Sequence, residues 1–289
     1  MGSSEKLSLS LSQAILLEVA AAPKPGLVTR QGNGSHRDMS ILTFAMSSVI
    51  VSNAFYKAAS VGREHQGTLS DLLKTLRPYG VEAEKALLGS TKQVNTQRGI
   101  LFAGSLLAGA AGFLEGHGTP VTVSSVCEAV MDMTSGIVDR ELRNLQDCET
   151  RTAGEKLFRQ YRITGIRGEA EQGFPSVRNY GLPALQDALA KGRSLNDACV
   201  HALIALMSVV EDSNVVWRAG YESLLWLQKR ARIILGQGSV YTDTGYAAIQ
   251  ELDRDCVERR ISPGGSADLL SLTLALYLLE NTEFPGKVM

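Results

Sequence analysis

The chain has 289 residues, 44% hydrophobic and 20% charged, which suits an ordinary soluble globular protein of one large domain or two small ones. Twenty-nine basic residues against thirty acidic ones leave a net charge of −1, which excludes broad electrostatic capture of nucleic acid or of an anionic membrane. The four cysteines, Cys127, Cys148, Cys199 and Cys256, form no CxxC pair, so no zinc site or redox motif is expected and reduced thiols in a cytoplasmic protein are.

The opening MGSSEKLSLSLSQ has no cationic flank before an apolar core, so a secretory signal is not expected. Ser8 is placed to cap a first helix whose Leu11, Ile15, Leu16 and Val19 recur at helical spacing, and Pro23 and Pro25 stop it. Asp38 stands at the N-cap or first turn of a second helix running through Ile41, Leu42, Phe44, Ala45 and Val49. Helical patterns follow over 70–76, 79–89, 98–115 and 122–145, then over 153–161, 183–191, 195–210, 215–235, 243–260 and 266–280. Ser194 and Thr242 are the clearest caps. The apolar run Ile100–Leu114 is broken by glycines and Ser105 and falls short of the roughly 20 residues a membrane span needs, so it reads as a buried central helix. Strand signals are almost absent, and VTV at 121–123 is too short. The expectation is an all-α single domain, 1–289, of about ten helices. The stretch 159–183 is its longest irregular segment, a length that in compact domains tends to carry function.

Between the helices lie polar, glycine-bearing islands: PKPGLV at 23–28, GNGSHRDM at 32–39, VNTQRG at 94–99, TGIRGEAEQGFP at 164–175, EDSNV at 211–215 and SPGGSADLL at 262–270. Backbone N–H groups at such loops and helix starts are free to hold anions. PKPGLV either ends the first helix or presents Lys24 to an anion from a pre-set backbone. In the second island Asn33, Ser35, His36 and Arg37 supply donors, and Asp38 either caps a helix or works in the site. Asn95, Thr96 and Arg98 open a helix. Arg167 offers a fork to phosphate and Glu169 and Glu171 offer oxygen to Mg²⁺, the alternative being an Arg–Glu surface pair. Glu211 and Asp212 stand at the C-terminal end of an apolar helix, where the dipole disfavours acids, so a cation beside Asp212 and Asn214 is expected. Gly264, Gly265 and Ser266 form a phosphate nest before a helix with Asp268 in its first turn. There is neither a GxxxxGK[ST] loop nor a GxGxxG fingerprint. The residues describe a helical Mg²⁺-and-phosphate site in an enzyme acting on a phosphorylated nucleotide.

In this order the islands, with TAGE at 152–155 and GLP at 181–183, resemble the triphosphoribosyl-dephospho-CoA synthase family over nearly the whole chain, from about Ala14 to Leu279. The resemblance implies transfer of the triphosphoribosyl group of ATP to the 2′-hydroxyl of 3′-dephospho-CoA with release of adenine. The product is the prosthetic-group precursor for the acyl carrier protein of citrate lyase or malonate decarboxylase. It further implies Mg²⁺ and a functional link to a holo-acyl-carrier-protein synthase; charge and hydropathy predict no nucleic-acid or membrane partner, and homodimer formation is left open. On the matching motifs Lys24, Arg37, Arg98, Arg167 and Arg218 are expected to hold phosphates. Substrate contacts are also assigned to Asn33, Ser35, Asn95, Thr96, Asn214, Gly264, Gly265 and Ser266. Asp38, Glu169, Asp212 and Asp268 are assigned to metal, base or oxocarbenium stabilisation, and His36 to acid catalysis. Gln97 departs from the family pattern VNTHKG, and Ala219 stands where a glycine is usual. The competing readings are an Mg²⁺-dependent nucleoside or ADP-ribosyl N-glycosidic hydrolase and a non-catalytic nucleotide-binding protein.

Overall fold

The computed structural model describes residues 2–143, 152–281 and 283–285; Cys148 and the end of the expected 122–145 helix lie outside them. Among the described residues there are thirteen α-helices and no strand. In order they are α1 (Ser3–Ala20), α2 (Ile41–Glu64), α3 (Leu69–Ser90), α4 (Arg98–Gly116), α5 (Val123–Thr134), α6 (Ala153–Tyr161) and α7 (Gly165–Glu171). Then come α8 (Leu182–Ala190), α9 (Leu195–Met207), α10 (Ser213–Ala219), α11 (Tyr221–Gly236), α12 (Asp243–Arg259) and α13 (Gly264–Glu280). Short π-helical pieces cover Asp139–Arg143 and Val177–Gly181.

Two helices form the interior. α13 is buried along nearly its whole length from Ser266 to Leu279 and packs on α1, α9 and α4. A helix apolar on every side has no face left for water, which explains its lack of a polar stripe. α4 lies in close backbone contact with α2. A Cβ at Gly112 would strike the Ala59 carbonyl, and one at Gly116 the Arg63 carbonyl. The glycines interrupting this apolar run therefore let two helices approach, at a helix-propensity cost of about 1 kcal/mol each. By length and composition both α2 and α4 could cross a membrane, but 67% of the apolar window of α4 is buried within the fold, against 28% for α2.

Several boundaries differ from expectation for local reasons. α1 begins at Ser3, and Ser8 lies inside it with Oγ donating to the Ser4 carbonyl at 2.9 Å. Ser40 rather than Asp38 is the N-cap of α2, in a reciprocal box with Thr43. The stretches 70–76 and 79–89 fuse into α3 across Pro78, which sits on the solvent face where water can serve the carbonyl freed by the missing N–H. The stretch 215–235 divides at Gly220, whose φ of 87° ends α10. The segment expected to be irregular, 159–183, contains α7, the π-helical turn and the start of α8. Ser194 and Thr242 cap as expected, accepting from the Asp197 and Gly245 N–H groups at 3.1 and 3.0 Å.

Candidate active site

Two cavities face the ends of α10. The first, of about 180 Å³, is lined by Thr164, Gly168 and Glu169 of the α7 region, Glu211–Ser213, and Gly265 and Leu269 of α13. Its ionisable lining side chains are Glu169, Glu211 and Asp212, with no lysine or arginine among the described residues. Burial pushes the Glu169 carboxyl above its usual range and the nearby Glu211 adds to this, while hydrogen bonds from Ser176 hold it back. The Ser176 N–H donates to Glu169 Oε2 at 3.2 Å, and its Oγ donates to Oε1.

Asp212 forms the floor. It is 1% exposed. It caps α10, with Oδ1 accepting from the Asn214 and Val215 N–H groups at 3.1 and 3.4 Å. It also accepts from the first turn of α13: Gly265 N–H at 3.2 Å, Ser266 N–H at 2.8 Å and Ser266 Oγ at 3.0 Å. Two helix N-termini converge on one carboxylate, and both favour its negative charge. This corrects two expectations. α9 ends at Met207, so Asp212 is not at a helix C-terminus but caps α10; backbone and Ser266 donors offset its charge, and burial still holds its carboxyl above the usual range. The expected phosphate nest at Gly264, Gly265 and Ser266 has its Gly265 and Ser266 donors taken by Asp212.

The second cavity, of about 410 Å³, is lined by Gly34, Ser35, His36, Arg37, Asp38, Arg218, Val257 and Arg260. His36 is held at both ring nitrogens. Nε2 lies 2.7 Å from Ser262 Oγ, and Nδ1 accepts from Arg218 Nη1 at 3.4 Å with Asp38 Oδ1 at 3.7 Å. Burial first and then the Arg218 charge lower its pKa below 6.5, against the opposing pull of Asp38. Burial and the Arg218 charge thus disfavour the imidazolium form that acid catalysis would use. Ser35 is a structural tie, its Oγ donating to the Cys256 and Ile261 carbonyls at 3.0 and 2.7 Å. The Asn33 carbonyl accepts from the His36 N–H at 3.1 Å. The preceding loop is pressed on the same strand of chain: Gly26 has φ 71°, and a Cβ there would strike the Ile261 carbonyl.

The remaining expected site residues lie elsewhere. Lys24 is 1% exposed and ion-paired with Glu18 in the interior, so it is not presented to a phosphate. Arg98 pairs with Glu84 and lines neither cavity. Asn95 and Thr96 line neither, and the buried Thr96 hydroxyl has no hydrogen-bond partner. Arg167 donates through Nε to Glu141 Oε2 at 2.8 Å, and Glu141 also pairs with Arg77. Because Gly165–Glu171 is helical rather than a loop, Arg167 and Glu169 project about 200° apart, and only Glu169 meets the cavity. Asn214 contributes its backbone to the Asp212 cap, and its side chain lies against Gly264. Asp268 sits over the first turn of α4, where it accepts from the Ile100 backbone; burial, Glu18 and Asp212 raise its pKa well above 3.8. No three His, Cys, Asp or Glu side chains among the described residues converge as metal ligands. Asp38, Glu169, Asp212 and Asp268 are thus not one metal centre.

The profile of the ATP:dephospho-CoA triphosphoribosyl transferase family matches residues 4–284. The chain belongs to that family. The 2-(5''-triphosphoribosyl)-3'-dephosphocoenzyme-A synthase of Pectobacterium atrosepticum is 40% identical over 92% of this chain and 87% of its own length. A probable synthase of the same name from Malonomonas rubra is 44% identical over 96% of this chain and 89% of its own. One from Vibrio cholerae is 39% identical over 92% and 85%. No solved structure matches. As a member of this family the protein is a transferase, and neither the hydrolase nor the non-catalytic reading finds support.

Both departures from the family pattern fall in packing. The Gln97 side chain is buried, and its Oε1 accepts from Ser47 Oγ of α2 at 2.6 Å. The left-handed backbone after α10 falls on Gly220, so the methyl group of Ala219 meets no conformational penalty. Glu211 and Arg260 went unassigned in the sequence. Glu211 had one signal, its place with Asp212 at the expected C-terminal end of an apolar helix; Arg260 had none, since an arginine closing a long helix reads as a solvated end.

Proposed function

We propose that the acidic cavity is where the bond between ribose and adenine in ATP is broken and 3′-dephospho-CoA is joined. The observation that supports this is a cavity walled by Glu169, Glu211 and Asp212 without a cationic side chain. A glycosyl transfer develops positive charge at ribose C1′, and pre-oriented carboxylates lower the energy of that charge. The C1′–N9 bond breaks with its electron pair leaving on adenine, which takes up a proton from solvent. The acceptor 2′-oxygen bonds to C1′ and gives its proton to Glu169, whose raised pKa suits a base working nearer neutrality. Asp212 holds the two helix starts that shape the cavity. The triphosphate remains intact.

Mg²⁺ belongs to this reading as part of the ATP substrate. It needs only one or two protein carboxylates once phosphates supply the rest of its shell. Glu211 would hold it, leaving Glu169 free as the base, and bound there it offsets charge on the phosphate next to the ribose. The product then passes to a holo-acyl-carrier-protein synthase.

The test is chromatography of purified protein with ATP, Mg²⁺ and 3′-dephospho-CoA. Adenine should appear together with an adduct heavier by one triphosphoribosyl unit. Adenine without adduct, or neither product, would sink the reading.

A further inference from the structure

We propose that the second cavity holds the triphosphate of the donor nucleotide, with Arg37, Arg218 and Arg260 as its cationic walls. The proposal rests on the transferase reading only for the identity of the donor. Three guanidiniums from distant segments line this cavity: Arg37 in the loop before α2, Arg218 in the last turn of α10 and Arg260 at the end of α12. None has a carboxylate within ion-pair distance among the described residues, whereas Arg98 and Arg167 do. The one acid in the lining, Asp38, faces His36. Like charges drawn together without a carboxylate partner repel, and an anion in the space between them removes that cost. Guanidinium forks match the paired oxygens of phosphate.

The placement also fits the reaction. Ser213 lines the acidic cavity and Arg218 the basic one. Five residues of helix separate them by about 7.5 Å, the scale of one sugar. A donor with its triphosphate among the arginines would present its ribose to Glu169 and Glu211. The segment from Ser262 to Gly265 ties the two ends together, since Ser262 holds His36 and Gly265 holds Asp212. The acceptor also carries a polyphosphate one sugar away from its reacting hydroxyl. That diphosphate is doubly esterified and carries less charge, so three arginines without a carboxylate partner favour the donor.

The test is titration calorimetry of the full chain with inorganic tripolyphosphate, with ATP and 3′-dephospho-CoA as competitors. Arg260→Asn keeps a side chain that tolerates the left-handed backbone at this position (φ 57°). Arg37→Ala is the second variant, and urea midpoints check that both fold. Each should weaken tripolyphosphate binding about 10- to 100-fold, the range for a lost charge-assisted hydrogen bond. Lys74→Ala, which removes an exposed cation of α3, should change it little. ATP should displace the probe and 3′-dephospho-CoA should not. Displacement by 3′-dephospho-CoA alone would give the cavity to the acceptor and overturn the proposal. So would absence of binding, or binding indifferent to both arginine variants. A protein that makes no adduct but passes these tests loses the acceptor reading and keeps the donor site.

Discussion

Ser266 donates both its N–H, at 2.8 Å, and its Oγ, at 3.0 Å, to Oδ2 of Asp212, a residue 54 positions earlier in the chain. The pair fastens the start of the buried α13 to the start of α10. One wall of the acidic cavity is set by that fastening, and through α10 so is the position of Arg218.

Asp212→Ala should therefore lower stability as well as turnover. It leaves buried donors of Gly265 and Ser266 without an acceptor, at a cost of about 3 kcal/mol or more. Asp212→Asn keeps one oxygen acceptor and should fall between. Urea midpoints and turnover measured on the same samples decide the matter. Lost turnover at an unchanged midpoint would make Asp212 a direct participant in the chemistry instead of a fastening.

Glu169→Gln should lower kcat by about 10²- to 10⁴-fold, the usual contribution of a positioned base. In the wild type, kcat/KM should fall as pH drops through a value above 4.5, because the base works deprotonated and burial raises its pKa. Glu211→Gln removes a neighbouring negative charge, so the same limb should move to lower pH. A pH–rate profile of each variant checks both statements. An unmoved limb in Glu211→Gln would separate the two carboxylates.

His36 ties stability to pH in a definite direction. Its folded pKa lies below the unfolded value near 6.5, so the unfolded chain binds more protons in that interval. Its contribution is present above pH 6.5 and lost as pH falls below it. His201 is lowered as well, so the comparison must be with His36→Gln. Urea midpoints between pH 5.5 and 7.5 should fall more steeply toward acid in the wild type than in that variant. Parallel curves would mean that His36 is not held neutral.

Arg167 and Arg218 should separate in kinetics. Arg167 is paired with Glu141, and such half-exposed pairs contribute about 1 kcal/mol or less. Arg167→Ala should change the KM for ATP less than about fivefold, as should Glu141→Gln, and the double variant should add little. Arg218→Ala should raise the KM for ATP more than about tenfold, in line with a lost phosphate contact. Equal effects of Arg167→Ala and Arg218→Ala would return Arg167 to the binding site.

Helical periodicity, caps such as Ser194 and Thr242, and the missing strand signals make the all-α fold legible in the sequence. The islands likewise led to the family, because their order along the chain is itself linear information. Side-chain direction was not legible. Thr164–Pro175 reads as a loop from its glycines, but its Gly165–Glu171 part winds into α7, and helical rotation then sends Arg167 to Glu141 and Glu169 to the cavity. Lys24 carries the same charge as Arg260, and nothing local says that one is buried against Glu18 while the other lines an open cavity. Gly265 and Ser266 read as a nest for phosphate because the carboxylate that occupies it lies half a hundred residues away. Residue types and their order, being local and countable, carried the family and with it the class of reaction. Tertiary structure alone decided which groups are free to perform it, since a charge is available to a ligand only where packing has left it without a partner.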